Sequence, residues 1–164
     1  MEATFCFVDM AGFTALTEAH GDDEAARLAL RLGELVEHAL GGNGRVMKTI
    51  GDAVMAVAPT PDAAVAFAQR LWKACASEAD FPVLRAGLHH GEAVERRADV
   101  FGAAVNLAAR ITARASGGQV LATLVVADAA RFRDLPVTSL GPMLLRNVRQ
   151  PVRCSRWSCR TTEA

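Results

Sequence analysis

The order of apolar periodicities along the chain predicts an α+β fold, a βαββαβ unit extended at its C-terminal end by further strands and helices. Three observations carry this. One long stretch repeats its leucines at helical spacing, two six-residue strand-like runs flank a Gly-Asp pair, and the helical and strand-like stretches follow each other without a linker or repeat. With 164 residues, 51% of them apolar, the chain is expected to form a single domain over 1–164 whose core needs no disulfide or structural metal.

The elements follow in order. Residues 4–10 (TFCFVDM) are apolar and β-prone and end on an acid. AGFTALTEAH reads as a short helix entered through a glycine, and DDEAARLALRLGELVEHAL as a long amphipathic one. The long helix has Asp22 and Asp23 where acids suit the dipole, and Leu28, Leu32, Leu35, Val36 and Leu40 on one face. GGNG stops it, because glycine adopts the left-handed conformation that ends helices. RVMKTI and AVMAVA are strands joined by the two-residue turn Gly51-Asp52. A second long helix opens at Thr60-Pro61-Asp62, with proline at a favoured early position. VLRAGLHHGEAV is a strand, and FGAAVNLAARITARA a third amphipathic helix with Val105, Leu107, Ala108 and Ile111 as its buried stripe. Then come a strand (QVLAT), a short helix near 124–131, and a terminal strand pair in VTSLGPMLL and VRCSRW. The first part of this order is that of a ferredoxin-like unit.

Composition excludes several functions. Eighteen Lys and Arg balance eighteen Asp and Glu, which argues against a dedicated nucleic-acid binder. Arg146, Arg149, Arg153, Arg156 and Arg160 cluster late in the chain, but no aromatic pair of the RNA-binding type accompanies them. No apolar run approaches the roughly 20 residues that span a bilayer, and the N-terminus has no signal-peptide pattern, so a cytoplasmic protein with no membrane contact is expected. Cys6 and Cys75 lie in apolar surroundings and read as small core residues, and Cys154 and Cys159 have no second pair to complete a zinc site. His89 and His90 read as one core and one surface residue of a strand, and His20 and His38 as solvated helix positions.

Three segments carry chemistry. In FVDMAGFT, Asp9 ends a strand and the chain turns through Gly12 into a helix. A hard cation could bind at the strand end, and the N–H groups from Ala11 to Thr14 could receive phosphate oxygens; the alternative is a solvated acid and a simple turn. In KTIGD, Asp52 stands in a hairpin turn. If the hairpin lies beside the first strand, Asp9 and Asp52 share one sheet edge, a donor pair suited to magnesium; the alternative is an ordinary turn. In DVFGAAVNLAAR, Asn106 and Arg110 are four apart on one helix face; Asn offers a donor and an acceptor, and Arg a fork of donors for phosphate; the alternative is a surface pair. No GxxxxGK[ST] phosphate loop occurs.

Taken together, FVDMAGFT, KTIGDAVM, LRAGLHHGEAV and FGAAVNLAARI resemble, in order, the class III adenylyl and guanylyl cyclase catalytic domain, from about residue 4 to about 157. The resemblance implies the class III nucleotide cyclase fold and an adenylate cyclase that converts ATP to 3′,5′-cyclic AMP and pyrophosphate with two Mg²⁺ or Mn²⁺ ions. It implies Asp9 and Asp52 as metal-binding aspartates, with Met10 joining the metal set, and Gly12, Phe13 and Thr14 as the phosphate-side turn. Lys48 and Asp99 match the pair that reads the purine. A lysine donor facing N1 of adenine and an aspartate accepting from the 6-amino group suit adenine, whereas guanine presents the reverse pattern. Asn106 matches the ribose-orienting asparagine, and Arg110 the arginine that stabilises charge on the α-phosphate. Where the family often has lysine to grip the polyphosphate, this chain offers Arg146, or Arg149. One copy of each half-site implies a head-to-tail homodimer with two equivalent sites. The alternatives are a cyclase-like domain that binds a nucleotide or partner without turnover, or a cyclase that uses another triphosphate such as GTP.

Overall fold

The computed structural model describes residues 1–158. Cys159 and Arg160 lie outside them. The elements are β1 (Glu2–Met10), α1 (Phe13–His20), α2 (Asp22–Leu40), β2 (Arg45–Ile50), β3 (Ala53–Ala58), α3 (Pro61–Ala76), β4 (Leu84–Glu92), β5 (Val94–Arg96), β6 (Asp99–Phe101), α4 (Ala103–Arg114), β7 (Gln119–Thr123), α5 (Leu124–Phe132), β8 (Thr138–Met143) and β9 (Val152–Ser158). Among these residues no helix is long and apolar enough to cross a membrane.

The strands form a seven-stranded sheet in the order β2-β3-β1-β4-β7-β9-β8 and a small two-stranded one from β5 and β6. The run β2-β3-β1-β4 is antiparallel throughout, the arrangement expected of the βαββαβ unit. β7 then joins β4 in parallel, and α4 lies in the connection between them. The terminal pair closes the sheet antiparallel.

Alternation along β1 sorts the core into two layers. Cys6, Val8 and Met10 pack against α2 through Leu28, Leu32 and Val36, and against α3 through Val65, Phe67 and Leu71. Phe5 and Phe7 face the other way, with Met55, Val57 and Val100, under Ala104, Val105 and Ala108 of α4. A third cluster joins Ile111 and Ala115 to Leu121, Leu145 and Cys154.

The helix boundaries follow their local signals. Thr60 caps α3 by accepting the Ala63 N–H at 3.1 Å, with Pro61 behind it. α2 carries three acids in its first turn and stops at Gly41, whose φ of 59° is left-handed. The buried stripe of α4 departs from expectation. It consists of Ala104, Val105, Ala108, Ile111 and Thr112, while Leu107 is half-buried and packs against the third cluster. The small residues lead because α4 sits very close to the sheet. A β-carbon on Gly87 would meet Thr112 Oγ1 at 2.3 Å and the Ala108 carbonyl at 2.8 Å, and one on Gly91 would meet Ala104 Cβ at 2.8 Å. Glycine at these two strand positions is what admits the helix.

The β5–β6 hairpin is the one element the sequence did not announce. Each strand has three residues, and Arg97 and Ala98, at φ 52° and 61°, make the turn without the glycine or asparagine that marks such turns. The third helix accordingly begins at Ala103 rather than Phe101.

Candidate active site

Asp9 and Asp52 are brought to one edge. Asp9 pairs with Ala53 in the β1–β3 register, and Asp52 immediately precedes Ala53 in the two-residue turn between Ile50 and Ala53. Burial raises the affinity of the Asp52 carboxyl for its proton, and the Asp9 charge raises it further, against a backbone hydrogen bond and the charge of Arg85. The two carboxylates therefore sense each other. Among the described residues no third His, Cys, Asp or Glu joins them to form a cluster. Carboxylate oxygens are hard donors, and the Asp9 and Asp52 pair would suit Mg²⁺ or Mn²⁺ rather than a softer metal.

Asp9 is not idle. Arg85, its register partner on β4, donates from Nε to Oδ1 at 2.6 Å and from the guanidinium to Oδ2 at 3.2 Å. The same guanidinium reaches the carbonyls of Ala113 and Ala115 at 3.3 Å each. Sequence reasoning did not single out Arg85. The available signal was a lone charge inside the otherwise apolar strand VLRAGL.

The turn after β1 follows expectation in part. Gly12 has φ 73° and precedes α1, where Phe13 and Thr14 open the helix. Ala11 does not belong to an anion cradle, however, because its N–H donates to the Val83 carbonyl at 2.8 Å. The N–H groups available to an anion there are those that follow Ala11.

Lys48 and Asp99 meet. Lys48 Nζ lies 2.9 Å from Asp99 Oδ2, and Asp99 Oδ1 accepts the Val100 N–H at 2.8 Å. The Lys48 hydrogen bond, followed by that of Val100, holds the Asp99 carboxyl below the usual carboxylate range. A β-bulge makes the meeting possible. The β2–β3 register slips between Val46 and Lys48, so that Lys48 rather than Met47 lies opposite Met55. Met55 belongs to the layer under α4, and directly paired residues point to the same face. Without the extra residue Lys48 would lie opposite Val54 and face the α2–α3 layer. A second ion pair, Arg45 to Glu95 at 2.7 Å, ties the same hairpin to the same strand.

Asn106 and Arg110 share a face of α4. Asn106 is exposed and Arg110 half-buried, and neither side chain makes a hydrogen bond or ion pair among the described residues. Arg146 and Arg149 are both exposed in the segment between β8 and β9 and are equally unengaged. The histidine expectation needs correction. His89 and His90 are both half-buried, with His89 Nδ1 2.6 Å from Thr123 Oγ1 and His90 Nδ1 2.9 Å from Thr4 Oγ1.

This sheet, with α4 laid across it and its carboxylates gathered at one edge, has the nucleotide cyclase fold. The sequence profile of the adenylate and guanylate cyclase catalytic domain matches residues 1–155, and the chain belongs to that family. It is 38% identical over 163 residues to the pH-sensitive adenylate cyclase MT1302 of Mycobacterium tuberculosis, covering 94% of this chain and 40% of that protein. It is 36% identical to an adenylate cyclase of Streptomyces coelicolor over 80% of this chain and 35% of that one. The chain thus spans about two fifths of the length of these curated relatives. Among solved structures, an adenylate/guanylate cyclase/hydrolase from Silicibacter pomeroyi superposes with a TM-score of 0.83 at 29% identity, covering 96% of both chains. Adenylate cyclases from Trypanosoma brucei in their monomeric state reach 0.84 at 25% identity over 95% of this chain and 87% of theirs.

Proposed function

We propose that this chain is an adenylate cyclase domain that converts ATP to cyclic AMP and pyrophosphate at a site shared between two copies. The observation that carries the reading is the Lys48–Asp99 pair. It offers an ammonium donor and a carboxylate acceptor at one place, matching the N1 acceptor and 6-amino donor of adenine and opposing the reversed pattern of guanine. The relatives named adenylate cyclase support the same substrate.

In this reading Asp9 and Asp52 hold two divalent ions, with Met10 contributing beside Asp9. When bound, such ions lower the pKa of the 3′-hydroxyl and offset charge on the leaving pyrophosphate. The chain does the positioning. Gly12, Phe13 and Thr14 receive phosphate oxygens at the start of α1. Lys48 and Asp99 fix the base, Asn106 orients the ribose, and Arg110 stabilises charge that develops on the α-phosphate. Arg146, or Arg149, grips the polyphosphate. Asn106 and Arg110 are unengaged among the described residues, which supports a head-to-tail homodimer in which they face the aspartates of the partner.

The test is to incubate the protein with each nucleoside triphosphate and either Mg²⁺ or Mn²⁺ and to identify the product by mass. Cyclic AMP with pyrophosphate is expected. Binding of ATP without pyrophosphate release would instead mark a domain that binds without turnover.

A further inference from the structure

We infer that Arg114 is a positioning residue for the phosphate end of the site: it fixes the turn that presents Arg146. The inference rests on the proposed reading that Arg146 meets the polyphosphate.

Asn106, Arg110 and Arg114 follow one another at four-residue intervals along α4 and form one polar stripe. The first two make no side-chain hydrogen bond among the described residues, and the proposed site leaves them to the substrate. The third is used differently. Arg114 Nη1 donates to the Leu144 carbonyl at 2.7 Å, in the segment between β8 and β9. A guanidinium that donates to a carbonyl makes a charge-assisted bond, stronger than one between neutral groups. Arg114 is the last residue of α4, so this bond fastens the end of the helix to that segment.

Leu144 leads directly into a turn. The Val148 N–H donates to the Leu145 carbonyl at 3.1 Å, which closes a four-residue turn with Arg146 and Asn147 at its centre. Asn147 has φ 61° whereas Arg146 keeps a negative φ, the pattern of a type II turn, and asparagine is one of the few residues that tolerates the positive value. Leu145 is 5% exposed and plugs the turn into the third cluster beside Ile111 and Ala115. The Leu144 side chain, by contrast, is 72% exposed and adds little packing, so the bond from Arg114 is what holds the entry to the turn. Both anchors lead to the end of α4.

The two arginines proposed for the phosphates are thereby set by one helix. Arg110 rides on α4, and Arg146 is tied to it one helical turn later. Freed from Arg114, the Leu145–Val148 turn keeps its own hydrogen bond but loses its fixed distance from Arg110. Binding of the β- and γ-phosphates then has to order Arg146 as well, which weakens it. The loss falls on binding rather than on the charge developing at the α-phosphate, which stays with Arg110.

The experiment uses the full chain, with ATP and Mn²⁺ for turnover and with inorganic tripolyphosphate and Mn²⁺ in a calorimeter for binding without turnover. Arg114→Ala is expected to raise the KM for ATP and to weaken tripolyphosphate about three- to tenfold, the effect of one hydrogen bond, with kcat changed far less. Arg114→Lys retains a charged donor and should recover most of the affinity. Adding Arg114→Ala to Arg146→Ala should weaken binding no further, whereas adding it to Arg149→Ala should raise KM by the same factor as in the wild type. Cyclic AMP lacks the β- and γ-phosphates, so its inhibition constant should stay in place. A folded Arg114→Ala chain with wild-type KM and tripolyphosphate affinity overturns the inference. So does a loss that adds in full to that of Arg146→Ala, because Arg114 would then act on the phosphates directly. A fall in kcat or in cyclic AMP binding as large as the rise in KM also overturns it, since that marks displacement of α4. If Arg114→Ala does not fold, Arg114→Met, which keeps the stem without the donor, takes its place in each comparison. If Arg146→Ala leaves tripolyphosphate binding intact, the reading of Arg146 fails and takes this inference with it. Weakening in Arg146→Ala with none in Arg114→Ala defeats the positioning role alone.

Discussion

Gly87 lies directly beneath Thr112. A β-carbon on the glycine would stand 2.3 Å from the threonine hydroxyl and 2.6 Å from its backbone nitrogen. The hydroxyl is committed to the Ala108 carbonyl at 2.8 Å, and the backbone nitrogen is part of α4, so neither can turn aside. Gly87→Ala should therefore lift α4 from the sheet and cost about 1–3 kcal/mol, the usual range for overpacking. Urea unfolding measures the cost. Because the same helix carries Asn106 and Arg110, turnover of the folded fraction should fall as well, and a variant of reduced stability but full turnover would separate the packing of α4 from its role in the site.

Two charged pairs join the bulged strand to the β5–β6 hairpin, and one of these is the proposed base reader. Asp99→Ala removes the acceptor and leaves Lys48 to face the purine alone. The kcat/KM for ATP should drop on the order of ten- to a hundredfold, mainly through KM, and less for GTP, because the lost contact was specific to the 6-amino group. Competition between the two triphosphates reads the ratio. An equal loss for both would remove Asp99 from base recognition.

The proposed sharing of the site between copies makes complementation a direct test. Arg110→Ala alone should lower kcat on the order of 10²–10³-fold, as for loss of one preorganised donor. Asp52→Asn should be inactive for want of a metal ligand. Equal amounts of the two chains, allowed to exchange, should regain about a quarter of wild-type activity, since half the dimers are mixed and each of these holds one intact site. A mixture no more active than its components would place all the residues within one chain.

His89 predicts an acid limb in stability. Burial, and then the neighbouring His90, lower its pKa from the ordinary histidine value of 6.5. The unfolded chain therefore takes up a proton at a higher pH than the folded one. Stability gained from this site is complete above about pH 6.5 and is lost as pH falls through the lowered folded value. Urea midpoints between pH 7.5 and 5 should show the decline, and His89→Asn should flatten it. A wild-type slope retained in the variant would assign the limb to other groups.

Most of the architecture was legible because it is written in periodicity and punctuation. The leucine spacing of α2, the proline at the start of α3 and the Gly-Asp turn between β2 and β3 each specify an element locally. What was not legible depends on contacts distant in sequence. Nothing local marks a three-residue hairpin whose turn residues are Arg97 and Ala98, or a bulge after Val46 that turns Lys48 to the other face. The same holds for the site. Asp9, Asp52, Lys48 and Asp99 stand in motifs, but the fork between Arg85 and Asp9 joins residues of β4 and β1 that only sheet register brings together. The partial burial of Leu107 and the full burial of Thr112 likewise follow from how close Gly87 lets the helix come.

Cys6 sits at the middle of β1, between β3 and β4, with no exposed surface and a thiol pushed up to about 12 by burial. No fluctuation of a loop or helix end can present such a sulfur to a reagent, since the strand is hydrogen-bonded on both sides and covered by α2 and α3. Its modification requires the central strand to leave the sheet, which is global opening rather than local fraying. Cys6 is thus a built-in clock for this domain. The rate at which a thiol probe reaches it under native conditions counts the complete unfolding events of the protein, without any label having been introduced.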